Sequence, residues 1–235
     1  MKVTGPNWPS THALAEALKD VPGPDLRWGQ GAKDGLTQLR TFTASHIACP
    51  EWTSDLAQAK KWVRAGVKVF GRRLHHTHGS DIIGPGYKAE RWNREWTQRD
   101  FWVKVIDSVA EYRQHVWDGR AIRIGKKAHT GESWRKNLVR SRNNGWTIDY
   151  SFKSPSEPFT DQIRQLSKAA VTSVGYLGGA VDILEGRDGK LYVLEVNSAP
   201  SLRDEHTLGA YVQAIQRWVK REAKKANGKI SNTPK

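Results

Sequence analysis

Three oxygen-bearing side chains stand out in GGAVDILEGRDGKLYVLEVNSAPSL, residues 178–202. Asp182, Glu195 and Asn197 lie among valines and leucines, where an ionised group survives only if it is paired or holds a metal. Asp188-Gly189 is a strong signal for a two-residue hairpin loop. Counting outward from that tip sets Asp182 directly opposite Glu195. Alternation then puts Asn197 on their face, with Val181, Ile183, Tyr192, Leu194 and Val196 on the other. Two carboxylates facing each other repel. A hard divalent cation between them reverses that repulsion, and an oxygen-only set of this kind suits Mg²⁺ or Mn²⁺ shared with substrate phosphates. A solvated face with a nearby arginine neutralising the pair is the alternative.

The segment EYRQHVWDGRAIRIGKKA, residues 111–128, reads as a second hairpin with Asp118-Gly119 at its tip. The same count places Glu111 opposite Lys126, with Arg113, His115, Ile122 and Ile124 on their face. Arg113 could give forked contacts to phosphate oxygens and Lys126 a point charge. A surface ladder of salt bridges with Glu111 would use the same residues, and the pattern alone leaves both readings open.

Around these hairpins the pattern predicts mixed elements. KVTG and LRWG read as short strands flanking the helix THALAEALKD, which VPGPD stops. GLTQLRTFTASHI has helical spacing through Leu36, Leu39 and Phe42, and a further helix is predicted from Thr53 or Ser54 to Gly66. VKVFGRRL and RDFWVKVID read as strands, with HHTHGSDIIGPG a polar loop between them and residues 130–145 an exposed loop. Ser156 caps a helix with Phe159, Ile163, Leu166 and Ala170 on one face. An amphipathic helix from His206 closes the chain and is expected to fray near Ala226. Strands mixed with helices, without a regular βαβ series, predict an α+β fold.

The 235 residues carry a formal charge of +14, which argues for polyanionic partners such as nucleic acid, nucleotides or an acidic protein. Of eleven tryptophans, Trp92, Trp96, Trp102, Trp117, Trp134 and Trp146 cluster among cations. Such rings can stack single-stranded bases, but packing in the core is favoured. One cysteine, Cys49, excludes an intrachain disulfide and a cysteine zinc site. No run is apolar enough to span a bilayer and the N-terminus lacks a secretory layout, so a cytoplasmic location is expected. His75, His76 and His78 are close in sequence, but a zinc site there lacks further ligands.

The motifs, taken in order, resemble the ATP-grasp superfamily, especially short phage-encoded members near the ribosomal-protein glutamate ligases. The resemblance runs from about Leu26 to about Leu202. Its most specific part is G-x-V-D-I-L…V-L-E-V-N-S-A-P-S-L. It implies two α+β lobes holding ATP, residues 36–106 and 107–225, with a reduced N-terminal segment 1–35 and a flexible basic tail 226–235. It implies Asp182, Glu195 and Asn197 as Mg²⁺ ligands, Arg113 on the γ-phosphate, and Lys126 near the phosphates. Asn137, with Arg140 or Arg142, would approach the reaction centre. Arg72 would stand in the strand position where relatives carry lysine, and His78 and Gly79 would belong to the phosphate lid. Backbone groups of Val103, Lys104, Val105 and Ile106 would bond adenine.

The implied reaction joins a carboxylate to an amine through an acylphosphate. A nucleic-acid-binding or nucleic-acid-modifying protein and a kinase are the alternatives. Related proteins often self-associate, which leaves a homo-oligomer open. The chain departs from the family pattern at Gln38 and Arg72, where lysines are usual, at Lys104, and in a lid with the single glycine Gly79.

Overall fold

The computed structural model describes residues 1–7, 9–29, 31, 33–74, 82–86, 88, 92–129, 131, 138–153 and 156–230. His75, His76, His78, Gly79, Trp134 and Asn137 lie outside the described residues.

At the N-terminus, β1 (Val3–Thr4) and β2 (Leu26–Arg27) pair in parallel around α1 (Pro9–Leu18). Leu14 and Leu18 recur at helical spacing and are fully buried, together with Leu26 and Trp28. Next come α2 (Gly35–Ala44), β3 (Trp52–Thr53), α3 (Leu56–Arg64), β4 (Val69–Arg72), β5 (Ile83–Gly86), α4 (Arg94–Thr97) and β6 (Phe101–Lys104). Their four strands form one antiparallel sheet in the order β3-β6-β4-β5. Helix α2 starts where Asp34 accepts from the Thr37 amide, as an N-cap does. It packs against the second lobe, with Leu36, Leu39 and Phe42 in that lobe's core.

The second lobe comprises β7 (Ser108–Trp117), β8 (Arg120–His129), β9 (Trp146–Asp149), α5 (Glu157–Ser173), β10 (Gly178–Gly186), β11 (Leu191–Asn197) and α6 (Glu205–Ile230). Its five antiparallel strands run β11-β10-β7-β8-β9. On one face, Tyr112, Val116, Val181, Ile183, Val193 and Val196 pack against α5. On the other, Trp117 joins Tyr211, Ile215 and Val219 of α6, and the same core takes in α1 and Trp28. Mixed helix and antiparallel sheet make this an α+β fold, as the sequence pattern predicts.

The tryptophans of the first lobe are packing residues. Trp92 stacks on Trp96 at 4.8 Å and on Trp102 at 6.2 Å. They join Trp62, Val63 and Val69 beneath α3, with Trp102 buried and Trp92 and Trp96 partly so. No helix among the described residues is long and apolar enough to cross a membrane.

His115 is buried between the sheet and α6. Its Nδ1 lies 3.2 Å from the Tyr211 hydroxyl and its Nε2 2.8 Å from the Tyr150 hydroxyl. Tyr211 donates to the Gly179 carbonyl, so it accepts from Nδ1, and Tyr150 donates to Nε2. Burial, with Arg113 adding repulsion, lowers the imidazole from 6.5 to about 3. Below pH 6.5 the unfolded chain takes up a proton that the folded one refuses. Stability therefore falls with pH across that window, by up to ~1.4 kcal/mol per pH unit. His115→Gln should flatten the slope relative to the unsubstituted chain in urea melts between pH 4 and 7; an unchanged difference across that range would contradict the assignment.

Candidate active site

A cleft of about 1800 Å³ lies between the two sheets. Its floor is one face of the second sheet. Three cross-strand neighbours form a row there: Arg113 on β7 pairs with Asp182 on β10, which pairs with Glu195 on β11. Asn197 follows Glu195 on the same face and also lines the cleft.

The hairpin that delivers Asp182 and Glu195 is not the simple one its tip suggests. The loop holds three residues, Arg187 to Gly189, closed by the Gly186 amide on the Lys190 carbonyl. Gly189 has φ +77°, the left-handed position such a loop requires. Tyr192 therefore pairs with Leu184 and Val193 with Ile183. A bulge at Leu194 then restores the expected register, so Asp182 does meet Glu195. Leu194 was expected in the core. It lines the cleft instead, and Val193 takes the core position. Tyr192 likewise leaves the core, its hydroxyl donating to Asp188 at 2.7 Å.

The β7–β8 hairpin carries one bulge with nothing to offset it. Val116 pairs with Ala121 but His115 with Arg123, so Ile122 is the extra residue. Beyond it every β8 side chain is displaced by one. Lys126 lies over the Tyr112 ring at 6.0 Å, on the α5 side, and Ile124 packs in that core. Lys127, not Lys126, enters the cleft and meets Glu111. The two-residue tip was read correctly; the bulge leaves no mark in the alternation of RAIRIGKKA.

Arg113 grips Asp182 through both ends of its fork, Nε to Oδ1 and Nη2 to Oδ2, each at 2.7 Å. Lys127 Nζ lies 3.4 Å from the same carboxylate and donates to the Arg140 carbonyl at 2.9 Å. Burial alone would raise the Asp182 carboxyl, but Arg113 and Lys127 together hold it well below the usual carboxylate range. Glu111 has less compensation and burial raises it. Arg140 donates to Ser108, lies 5.2 Å from the Trp146 ring centre and lines the cleft; Arg142 lines it as well. From the opposite lobe Arg72 comes within 3.8 Å of Glu195, an ion pair across the cleft.

The donor set has the composition of a site for a hard cation: two carboxylates and one amide oxygen on a single face. Glu195 is partly exposed to the cleft, while Asp182 is buried under its cations. Of the two expectations for the carboxylate pair, the structure displays neutralisation by arginine: Arg113 takes both Asp182 oxygens and Arg72 lies near Glu195, while the Asn197 amide oxygen accepts from the Ala199 amide at 3.2 Å. Among the described residues, no group of three His, Cys, Asp or Glu side chains is placed to hold a metal ion.

Two amides of the expected adenine hinge are engaged within the chain. The Lys104 amide donates to Glu51 and the Val105 amide to Lys68. Val103 is paired within the sheet. Among the described residues the Ile106 amide has no partner in the chain, which leaves it available to a ligand. The Lys104 ammonium turns to Glu51 and the Trp62 ring.

In the sequence Gln38 stands out only as a departure from the lysine usual in the family. The structure gives it a task. Its Oε1 accepts from the Val196 amide at 2.7 Å and its Nε2 donates to the Val196 carbonyl at 3.2 Å. A side chain thus acts as one more strand along the open edge of β11, between Glu195 and Asn197. Gln38→Ala would leave both buried backbone groups unsatisfied, at a cost of about 1–3 kcal/mol each. Urea melts should show that loss, and calorimetry should show weaker Mg-ATP binding. Equal stability with equal binding would remove Gln38 from the site.

No family model matches the sequence, and no curated protein matches it. Solved structures do. The ATP-grasp ligase PsnB in complex with a minimal precursor aligns at a TM-score of 0.56 and 16% identity, covering 83% of this chain and 61% of PsnB. Its complex with precursor, Mg and ADP aligns at 0.60 and 16%, covering 87% and 64%. The D-alanine–D-alanine ligase from Bacillus anthracis aligns at 0.58 and 16%, covering 80% and 68%. The N5-carboxyaminoimidazole synthetase from Staphylococcus aureus with ADP aligns at 0.59 and 12%, covering 78% and 51%. This chain therefore spans less than two thirds of PsnB's length. Two antiparallel lobes, a cleft between them and these alignments agree: the chain carries the ATP-grasp fold.

Proposed function

We propose that the cleft binds Mg-ATP and joins a carboxylate to an amine, releasing ADP and phosphate. The observation that carries this reading is the row Arg113–Asp182–Glu195, flanked by Lys127 and Asn197, on the floor of a two-lobed cleft.

Asp182, Glu195 and Asn197 would hold Mg²⁺ or Mn²⁺, which when bound neutralises phosphate charge. Arg113 and Lys127 then have anionic oxygens of the triphosphate as partners in addition to Asp182 and Glu111. Arg113 offers its fork to the transferred phosphoryl group and Lys127 a compact charge beside it. Arg72 reaches the same region from the other lobe, and the Ile106 amide can donate to adenine. An oxygen of the substrate carboxylate attacks the γ-phosphorus, and the bond to the bridging oxygen breaks, releasing ADP. The amine then attacks the acyl carbon, phosphate leaves with the bonding electrons, and the amine gives up a proton. The protein supplies no nucleophile. Its contribution is alignment and charge compensation in a partly water-excluded site.

The test is product analysis with Mg-ATP and pools of amino acids and acidic peptides. ADP plus phosphate with an amide product supports the ligase reading. AMP would move the chemistry to adenylation, and a stable phosphorylated product would move it to a kinase. No ATP binding in the presence of Mg²⁺ would end the proposal.

A further inference from the structure

A second cavity, of about 400 Å³, opens away from the cleft. Three elements build it: Arg120, Ala121 and Ile122 at the start of β8, Arg164 and Lys168 of α5, and Ala210, Gln213 and Arg217 of α6. Four cations line it and no carboxylate does. No residue lines both this cavity and the cleft, and Arg120 and Lys127, one in each, stand seven residues apart on β8, roughly 23 Å along the strand.

The cations of the cleft are paired with buried acids. Those of this cavity differ. Arg164 is held by Glu157 and Asp161 of its own helix. Arg120, Lys168 and Arg217 have no ion-pair partner among the described residues. Asp118, the carboxylate nearest Arg120 in sequence, is already clasped by both terminal nitrogens of Arg221. Cations from three separate elements converge at a cost in mutual repulsion, and a bound anion would offset it.

The charge continues along α6. Gln213, Arg217, Lys220 and Lys224 follow one another at steps of four, three and four residues, so they form a single exposed stripe. Arg217 to Lys224 covers about 10 Å of helix. A charge that repeats along a line calls for an anion that repeats. The lining offers only two alanines and Ile122 as apolar contacts, without the aromatic or large aliphatic anchors of a protein interface. Nor does it show the Trp, Phe or Leu face with which a helix enters a lipid surface. We infer that the cavity and the α6 stripe together bind the phosphodiester backbone of a nucleic acid, with Arg120 and Arg217 forking onto one phosphate and Lys168, Lys220 and Lys224 meeting its neighbours.

The test is fluorescence anisotropy on the full chain with labelled 20-nucleotide single-stranded DNA, single-stranded RNA and a duplex. Millimolar Mg-ATP is kept present, so that the cleft does not account for binding. For single strands, log affinity should fall against log salt with a slope of about −0.7 per phosphate contact, or about −2 to −3 in total. Lys168→Glu with Arg217→Glu should cut affinity at least ~10-fold and flatten the slope by about 0.7 to 1.4, since Arg120 stays on the phosphate that Arg217 shares. Arg217→Glu alone should give an intermediate loss. Both residues lie outside the cleft, so ATP consumption and the melting temperature should not change. Three results would each overturn the inference: binding insensitive to salt, affinity unchanged in the double variant, or polyglutamate or anionic vesicles captured as tightly as the oligonucleotides. The readout is binding rather than turnover, so it fails or succeeds independently of the ligase reading.

Discussion

Asp182→Asn should lower ATP consumption by ~10³-fold, the scale of losing one preorganised electrostatic contact, and should also weaken the fold. The carboxylate is buried, takes both ends of the Arg113 fork and lies beside Lys127. An amide of the same shape leaves two buried cations short of a counter-charge. Breaking one side of a buried pair costs about 3–5 kcal/mol, a large share of a typical domain's ~5–15 kcal/mol. Removing both charges separates the two effects. Asp182→Asn with Arg113→Met should recover most of the stability, because a buried pair exchanged for neutral groups is often nearly neutral. It should recover none of the turnover. Urea melts and ADP release measured on the two single variants and the double variant make the comparison. A double variant that consumes ATP at the original rate would place this pair outside the chemistry.

The pair also fixes an acid limit. Arg113 holds the Asp182 carboxyl below its ordinary 3.8. Its contribution is complete above that pH and is lost only as pH falls through the lowered value. Asp182 therefore adds nothing to the slope between pH 6.5 and pH 4, and the His115→Gln comparison reads the His115 part of that slope.

Two adjacent lysines should behave very differently. Lys127→Ala should reduce ATP consumption by ~10²- to 10³-fold, because it leaves Glu111 and Asp182 as buried neighbours with less positive charge between them. Lys126→Ala removes only a cation over the Tyr112 ring, worth ~0.5–1 kcal/mol, and should leave turnover within about threefold. Single-turnover ADP release reads both. Equal effects, or the reverse order, would mean that the bulge at Ile122 is misplaced and that Lys126 faces the cleft.

These two lysines show where the sequence stops being legible. Alternation identifies which residues share a face only while the pairing register is unbroken. In the β7–β8 hairpin a single bulge moved Lys126 out and Lys127 in. In the β10–β11 hairpin the count reached the right pair by a different path, because the three-residue tip and the bulge at Leu194 cancel. The α+β mixture and the helix faces of α2, α5 and α6 were legible because each depends on local periodicity. Gln38 was not, because its partner is a backbone 158 residues away. The Arg72–Glu195 contact was equally hidden, since it exists only once the lobes face each other.

The paired offsets in the β10–β11 hairpin bear on how this segment could tolerate insertion or loss during divergence. Leu194 is a residue whose loss would spare the site: without it Val193 still meets Ile183 and Glu195 still meets Asp182, in an unbroken ladder. Shortening the tip between Gly186 and Lys190 by one residue likewise leaves every pair from Glu185–Leu191 inward unchanged. The same holds for Ile122 in the β7–β8 ribbon, whose loss would keep Lys127 beside Glu111. Length variation should therefore collect at the tips and at these two extra residues, and spare the paired positions between them.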